Sequence, residues 1–206
     1  MDQPIADPLA ELITTYNELN SPVIEELDEE PSPLEFMRYV SRNTPFVVRK
    51  AAATWPATKD WNAQYLEGCL RDQTVNVAVT PKGFLTQTNN RIGNSRSVTA
   101  LHKDNYENIY VQIQGQKHFV LLPPHSHPCV NEKPLRPGTY ARNDDSQGLR
   151  LVMDAGDESD QEVQRVPFAI WDPDCPDDNA TPYSRLAEPM RVTLGPGDML
   201  YLPAMW

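Results

Sequence analysis

The sequence predicts a mainly β domain, a barrel or sandwich, behind an N-terminal α/β extension. Three observations predict it. Proline supplies 20 of the 206 residues, about twice the usual ~5%, and limits long helices. From Val98 onward the apolar residues form short alternating runs. Gly and Pro clusters separate those runs, as turns between strands do.

The N-terminal extension reads as short helices punctuated by proline. Asp7-Pro8 suits an N-cap followed by N1, with Leu9, Leu12, Ile13, Tyr16 and Leu19 at helical spacing. Ser32-Pro33-Leu34-Glu35 is a capping box ahead of Phe36, Met37 and Val40. Pro45–Arg49 reads as a strand. Trp55 and Trp61 flank a Pro56-Ala57 turn and read as core or packing residues. Asn62 caps a helix carrying Tyr65, Leu66, Cys69 and Leu70. Thr74–Thr80 alternates, with Val75, Val77 and Val79 on one side, as a half-buried strand does.

The β region begins at Val98–His102. Asn108–Gln114 and Lys117–Leu122 follow, and Gly115-Gln116 between them suggests a hairpin. Residues 123–189, rich in Pro and Asp, read as loop. Met190–Leu194 and Met199–Leu202 close the chain, joined by Gly195-Pro196-Gly197-Asp198. The expected organisation is an extension over 1–91 and a β core over 92–206.

Charge and cysteine usage narrow the function classes. The net charge is −11, and ten acidic side chains with no Lys or Arg fall within residues 1–35. Such acidity argues against binding a nucleic-acid backbone, which needs neutralising cations. Solvated flanks are the plain reading, and a rim that steers a basic substrate is the functional one. No apolar run is long enough to span a membrane, and no secretory signal opens the chain. Cys69, Cys129 and Cys175 are widely spaced, which points to a reducing compartment rather than a disulfide framework.

The sharpest chemical feature is His102-Lys103-Asp104. In a strand, His102 and Asp104 share one face. With a second histidine they make a 2-His-1-carboxylate triad for non-haem Fe(II). A hydrogen-bonded strand pair is the plain alternative. Lys117 lies fifteen residues after His102, among the apolar Phe119 and Leu121. It is either an edge lysine facing water or a cation paired with a carboxylated co-substrate. Asn108 has the parity of His102 and Asp104. Thr99 has the opposite parity, so only a bulge brings it to the same pocket. His118 faces away from Lys117, and His125 and His127 fall in a solvated loop.

Val-Thr-Ala-Leu-His102-Lys-Asp104-Asn-Tyr-Glu-Asn108, then Gly-Gln-Lys117-His-Phe-Val-Leu-Leu-Pro-Pro124, resembles the core of the JmjC (cupin-like) Fe(II)/2-oxoglutarate oxygenases. Gly195–Trp206 resembles that family's later metal-strand motif. The likeness is strongest to its lysyl-hydroxylase subgroup. It implies a double-stranded β-helix, the cupin/JmjC jelly roll, with His102 and Asp104 as iron ligands. It implies that Lys117 binds the distal carboxylate of 2-oxoglutarate, with Thr99 and Asn108 at co-substrate pocket positions. Fe(II) is the implied metal and 2-oxoglutarate the co-substrate. The implied partner is a protein substrate, a translation-associated GTPase, and family members can form homodimers. The expected compartment is the cytoplasm, with the nucleus as an alternative.

The chain departs from that pattern twice. The family's second iron-binding histidine follows a segment like Leu-Pro-Ala-Met-Trp206. Members also carry several dozen residues between blocks like Val75–Gly83 and Ile92–Asn94, which Phe84–Arg91 joins directly here. The expectation is therefore an internally deleted and truncated oxygenase with impaired activity. The rival reading is a non-catalytic cupin-like binding protein or an inactive fragment.

Overall fold

Helix starts are set by side chains that accept main-chain N–H groups left over at the first turn. Asp7 Oδ1 accepts from Leu9 and Ala10 at the head of α1 (Pro8–Leu19). Ser32 and Glu35 form the reciprocal capping box of α2 (Pro33–Arg42). Two shorter helices follow, α3 (Pro56–Asp60) and α4 (Ala63–Leu70), the latter capped by Asn62. This computed structural model describes residues 7–71, 73, 84–85, 93, 98–136, 138–142, 148–153 and 165–206. The predicted strand Thr74–Thr80 lies outside them.

The strands are β1 (Glu25–Leu27), β2 (Phe46–Val48), β3 (Phe84–Leu85), β4 (Val98–Thr99), β5 (Asn108–Val111) and β6 (Lys117–Leu121). They continue with β7 (Glu132–Leu135), β8 (Gly138–Arg142), β9 (Leu149–Met153), β10 (Val166–Ala169), β11 (Met190–Leu194) and β12 (Met199–Leu202). Two compact units emerge. The first comprises Met1–Val75, Lys103–Cys129 and Pro182–Trp206, and the second Asn76–His102 and Val130–Thr181.

In the first unit, one sheet has the order β1-β2-β12-β5, and a second pairs β11 with β6. β12 runs antiparallel to both β2 and β5. The period of two sorts its side chains. Val47, Leu200, Leu121, Met190, Val192 and Leu194 form one core cluster joining the two sheets. Phe46, Val48 and Tyr201 form another with Tyr39 of α2, so the helix covers the opposite face of the first sheet. Leu194 and Leu200 are fully buried, and each contributes about 2 kcal/mol by leaving water.

β5 and β6 therefore do not form the hairpin that Gly115-Gln116 suggested. They join different sheets, as do β11 and β12. The reason lies in the residues after Val111. Gln112 N–H donates to Asp198 O at 3.0 Å, and Gly197 N–H donates to Gln112 O at 2.7 Å. The connection is thus held on the 195–198 turn while it crosses between layers. Strands that alternate between two sheets give a mainly β, jelly-roll-like fold, as the sequence predicts.

The 195–198 turn is pinned to β2. Asp198 accepts from the Lys50 N–H at 3.0 Å, the Gly195 N–H at 2.9 Å and Arg49 Nη1 at 2.6 Å. Gly197 adopts φ +87 and approaches Ala53 closely.

In the second unit, β7 pairs with β10 and β8 with β9, both antiparallel, while β3 and β4 pair in parallel. The expectation of loop over 123–189 is corrected here. Proline content misled it: Pro134 and Pro167 stand opposite each other in the β7–β10 pair, an edge arrangement that tolerates missing N–H donors. Of the two readings for Trp55 and Trp61, the core one is corrected. They are 43% and 41% exposed, flanking the short α3, and Trp61 stacks on Tyr65.

Candidate functional site

Asp104 is half-buried in the first unit and held at two atoms. Asn108 Nδ2 donates to its Oδ2 at 3.3 Å. The Met205 N–H donates to its main-chain carbonyl at 2.7 Å. Asn108 opens β5, in register with Leu202 of β12, so sheet pairing fixes where the amide starts from.

Lys117 opens β6 in register with Leu194. It shares its parity with Phe119 and Leu121, which pack into the core. Its Nζ lies 6.0 Å from the Phe119 ring centroid, at the outer reach of a cation–π contact. Phe119 meets Tyr110 of β5 edge-on at 4.9 Å, and Tyr110 donates to Gln112 Oε1 at 3.1 Å. The sequence left Lys117 between an outward edge and an inward pocket. The structure places it half-buried on the inner face. His118 points outward, 2.7 Å from Thr193 Oγ1.

Thr99 and His102 belong to the second unit. Thr99 is half-buried at the end of β4, which stops there instead of running to His102. The shared-face argument for His102 and Asp104 therefore does not hold as strand geometry, because residues 100–104 form no ladder. The cause is local: Ala100 O faces His102 Nδ1 at 2.8 Å. A carbonyl only accepts, so Nδ1 carries the hydrogen. In the neutral ring Nε2 then presents its lone pair.

His125 and His127 lie on a 3-10 helix, Pro124–Cys129, rather than in an open loop. Both are exposed, and His125 stacks on Tyr16 at 4.4 Å. Among the described residues, no three His, Cys, Asp or Glu side chains group as a metal site. No helix among them is long and apolar enough to cross a membrane.

Sequence reasoning missed one contact set. Trp206 Nε1 donates to both Asn43 O, at 2.8 Å, and Asn43 Oδ1, at 2.6 Å. Asn43 adopts the left-handed conformation that ends α2, φ 50 and ψ 51. An Asn directly after a helical run was the available signal.

The family model for the cupin-like domain matches residues 31–91 and 83–206. This chain belongs to the cupin-like domain family. The cupin-like match falls in two segments that meet at 83–91, where the sequence reading places a missing block. Of that junction only Phe84 and Leu85 are described, in β3.

Curated relatives extend the assignment. The human "Bifunctional peptidase and (3S)-lysyl hydroxylase JMJD7" is 27% identical over 251 residues, covering 87% of this cupin-like chain and 77% of the relative. The Arabidopsis thaliana "Lysine-specific demethylase JMJ32" is 27% identical over 265 residues, covering 89% and 75%. The Dictyostelium discoideum "JmjC domain-containing protein E" is 21% identical, covering 86% and 75%. These alignments are longer than the 206-residue chain, so the relatives carry internal segments that this chain lacks.

The donor chemistry of His102 and Asp104 suits a divalent iron. Imidazole and carboxylate are ligands Fe(II) accepts. In the second unit the Nδ1 hydrogen bond to Ala100 O leaves the His102 Nε2 lone pair available, and in the first unit Asn108 donates to the Asp104 carboxylate. Outer partners of this kind orient ligands and tune affinity.

Proposed function

We propose that this chain is an Fe(II)- and 2-oxoglutarate-dependent oxygenase that hydroxylates a lysyl side chain of a protein. One observation carries the reading: the first unit holds an Asn108-restrained Asp104 together with an inward-facing Lys117 on a strand of otherwise apolar inner side chains. Membership of the cupin-like family and likeness to a lysyl hydroxylase and a lysine-specific demethylase support it.

His102 and Asp104 would hold the metal. Fe(II) with 2-oxoglutarate supplies oxidation of a C–H bond by O2, with succinate and CO2 as co-products. The chain's own residues do the positioning. Lys117 presents an ammonium from a half-buried position on β6, and a carboxylated co-substrate would accept a charge-assisted hydrogen bond from it. Phe119 lies beside that ammonium, and Tyr110 packs edge-on against Phe119. Asn108 keeps one carboxylate oxygen of Asp104 turned toward β5. Ala100 O keeps the His102 proton on Nδ1.

A translation-associated GTPase as substrate, a homodimer, and a cytoplasmic or nuclear setting belong to the same proposal. They follow from the resemblance in His102–Asn108 and Lys117. The alternative is a non-catalytic cupin-like binding protein.

Succinate release with Fe(II) and a lysine-containing peptide separates the two. The oxygenase releases succinate only when 2-oxoglutarate is present, and Lys117→Ala raises the KM for 2-oxoglutarate about 30-fold, the worth of one hydrogen bond to a charged group. Absence of succinate from the folded, iron-loaded chain decides for the binding protein. An unchanged KM in Lys117→Ala shows that the co-substrate pocket is assigned to the wrong residue.

A further inference from the structure

Asp104 is tied to α2 through Met205 and its neighbours. Its carbonyl accepts the Met205 N–H at 2.7 Å. Met205 holds φ +73, a conformation that costs a side-chain-bearing residue energy and persists only when its neighbours enforce it. The enforcing contacts are visible. Trp206 is buried in the core cluster and donates its indole N–H to Asn43 O and Oδ1. Asn43 Nδ2 donates back to Ala204 O at 3.4 Å. Asn43 itself is fixed as the α2 cap, its N–H reaching Tyr39 O and Val40 O. Met205 is thus gripped on both sides by one asparagine, and its N–H is aimed at Asp104.

We propose that the Asn43–Trp206 clamp is a positioning device for the metal carboxylate, acting through the strained Met205 to fix the backbone from which Asp104 reaches the metal. This rests on the reading of Asp104 as a metal ligand. Asn43 and Trp206 touch no reacting group in that reading. Their role is to hold the Asp104 main chain while Asn108 holds its side chain.

The test uses the full chain and Mn(II) as a redox-inert probe, with bound metal counted by electron paramagnetic resonance. Asn43→Gly is the informative variant. Glycine keeps the left-handed cap and the Asn43 carbonyl acceptor, while both side-chain arms of the clamp are lost. Trp206→Phe is the companion, keeping an aromatic ring in the core without the indole donor. The expected result is a Kd for Mn(II) raised about 10-fold in Asn43→Gly, as for other outer partners of metal ligands, at a temperature where every variant is folded. Asp104→Ala should abolish binding. A lowered melting temperature with unchanged Mn(II) affinity in Asn43→Gly overturns the clamp and makes the contact merely structural. No Mn(II) binding by the unaltered chain, or binding that Asp104→Ala leaves intact, overturns the metal reading and the clamp with it. Asn43→Gly carries this decision alone if Trp206→Phe fails to fold.

Discussion

Asn108 and Asp104 stand four residues apart and are joined by an amide-to-carboxylate hydrogen bond of 3.3 Å. The bond links the first residue of β5 to the carboxylate proposed as a metal ligand. Asn108→Ala should weaken Mn(II) binding about 10-fold. The cost in unfolding free energy should be about 1 kcal/mol, since one half-buried hydrogen bond is lost. Titration of Mn(II) and urea unfolding of the same variant measure the two. An unchanged affinity with the stability loss intact would assign Asn108 to the fold alone.

His102 is expected to keep its proton on Nδ1 in the neutral ring, because Ala100 O can only accept. Nitrogen-15 shifts of the imidazole in metal-free protein distinguish the two tautomers. An Nε2–H form would show that the Ala100 contact does not hold the ring. His102→Ala should reduce Mn(II) affinity at least as much as Asn108→Ala, because under the proposed function it removes a ligand rather than a ligand's partner.

Gly197 combines φ +87 with a missing side chain, and a Cβ there would come 3.0 Å from Ala53 N and Cα. Gly197→Ala should therefore destabilise the fold by about 2 kcal/mol, through backbone strain and contact with an unyielding main chain. Gly115 is also left-handed, but nothing lies within 4 Å of its added Cβ. Gly115→Ala should cost only the conformational part, about 1 kcal/mol. Denaturant midpoints of the two variants should differ in that order.

The helix starts, both closing strands and the inner face of β6 were legible in sequence because each has a local cause. Asp7 and Ser32 cap within four residues, and Phe119 and Leu121 set parity within a strand. The sheet partners of β5 and β6 were not legible. Gly115-Gln116 looks like a hairpin turn whichever sheet each strand joins, and the choice is made by Gln112 bonding to a turn some 85 residues later. The proline-marked pair Pro134 and Pro167 hid two strands for a similar reason, since a proline's tolerance depends on which edge it occupies. His102 and Asp104 were singled out by residue type. Their strand geometry was misjudged because a ring-to-carbonyl contact two residues away interrupts the ladder. The Asn43–Trp206 clamp joins residues 163 apart, beyond any sequence spacing.

The acid limb of the stability profile should depend on Asp198 and Glu26. Burial raises the Asp198 carboxyl, but N–H donors from Gly195 and Lys50 and the Arg49 guanidinium outweigh it and leave the value below the usual carboxylate range. Glu26 is lowered chiefly by its hydrogen bond from Arg49. A carboxyl with a lower value folded than unfolded takes up its proton more readily in the unfolded chain. Its stabilisation is present above the ordinary carboxylate range and is lost as pH falls through the folded value, which lies below that range. Glu26 is half-exposed, so solvent screens its share. Asp198→Asn should flatten the acid limb and lower stability at pH 7 by about 3 kcal/mol, leaving Arg49 with one partner fewer. Thermal melts between pH 3 and 7 check both effects, and an acid limb of unchanged slope would place the titrating group elsewhere.

The three cysteines should separate cleanly by reactivity. Only a thiolate attacks an alkylating reagent or a disulfide, so both proton affinity and access decide the rate. Cys129 is fully buried at the end of the 3-10 helix, and its thiol donates to Tyr183 O at 3.3 Å. Burial pushes its pKa up to about 11, so at pH 8 about one molecule in a thousand carries the thiolate. The Ser184 hydroxyl donates to the Cys129 carbonyl at 2.6 Å, which holds this turn closed against the reagent. Cys69 and Cys175 are exposed. A disulfide reagent at pH 8 should therefore titrate two thiols rapidly in the native chain, with the third appearing only on unfolding in guanidinium. The rate of that third thiol should track the unfolding rate across denaturant concentrations. Rapid reaction of all three under native conditions would show that the packing of residues 124–129 against residues 183–184 opens without global unfolding.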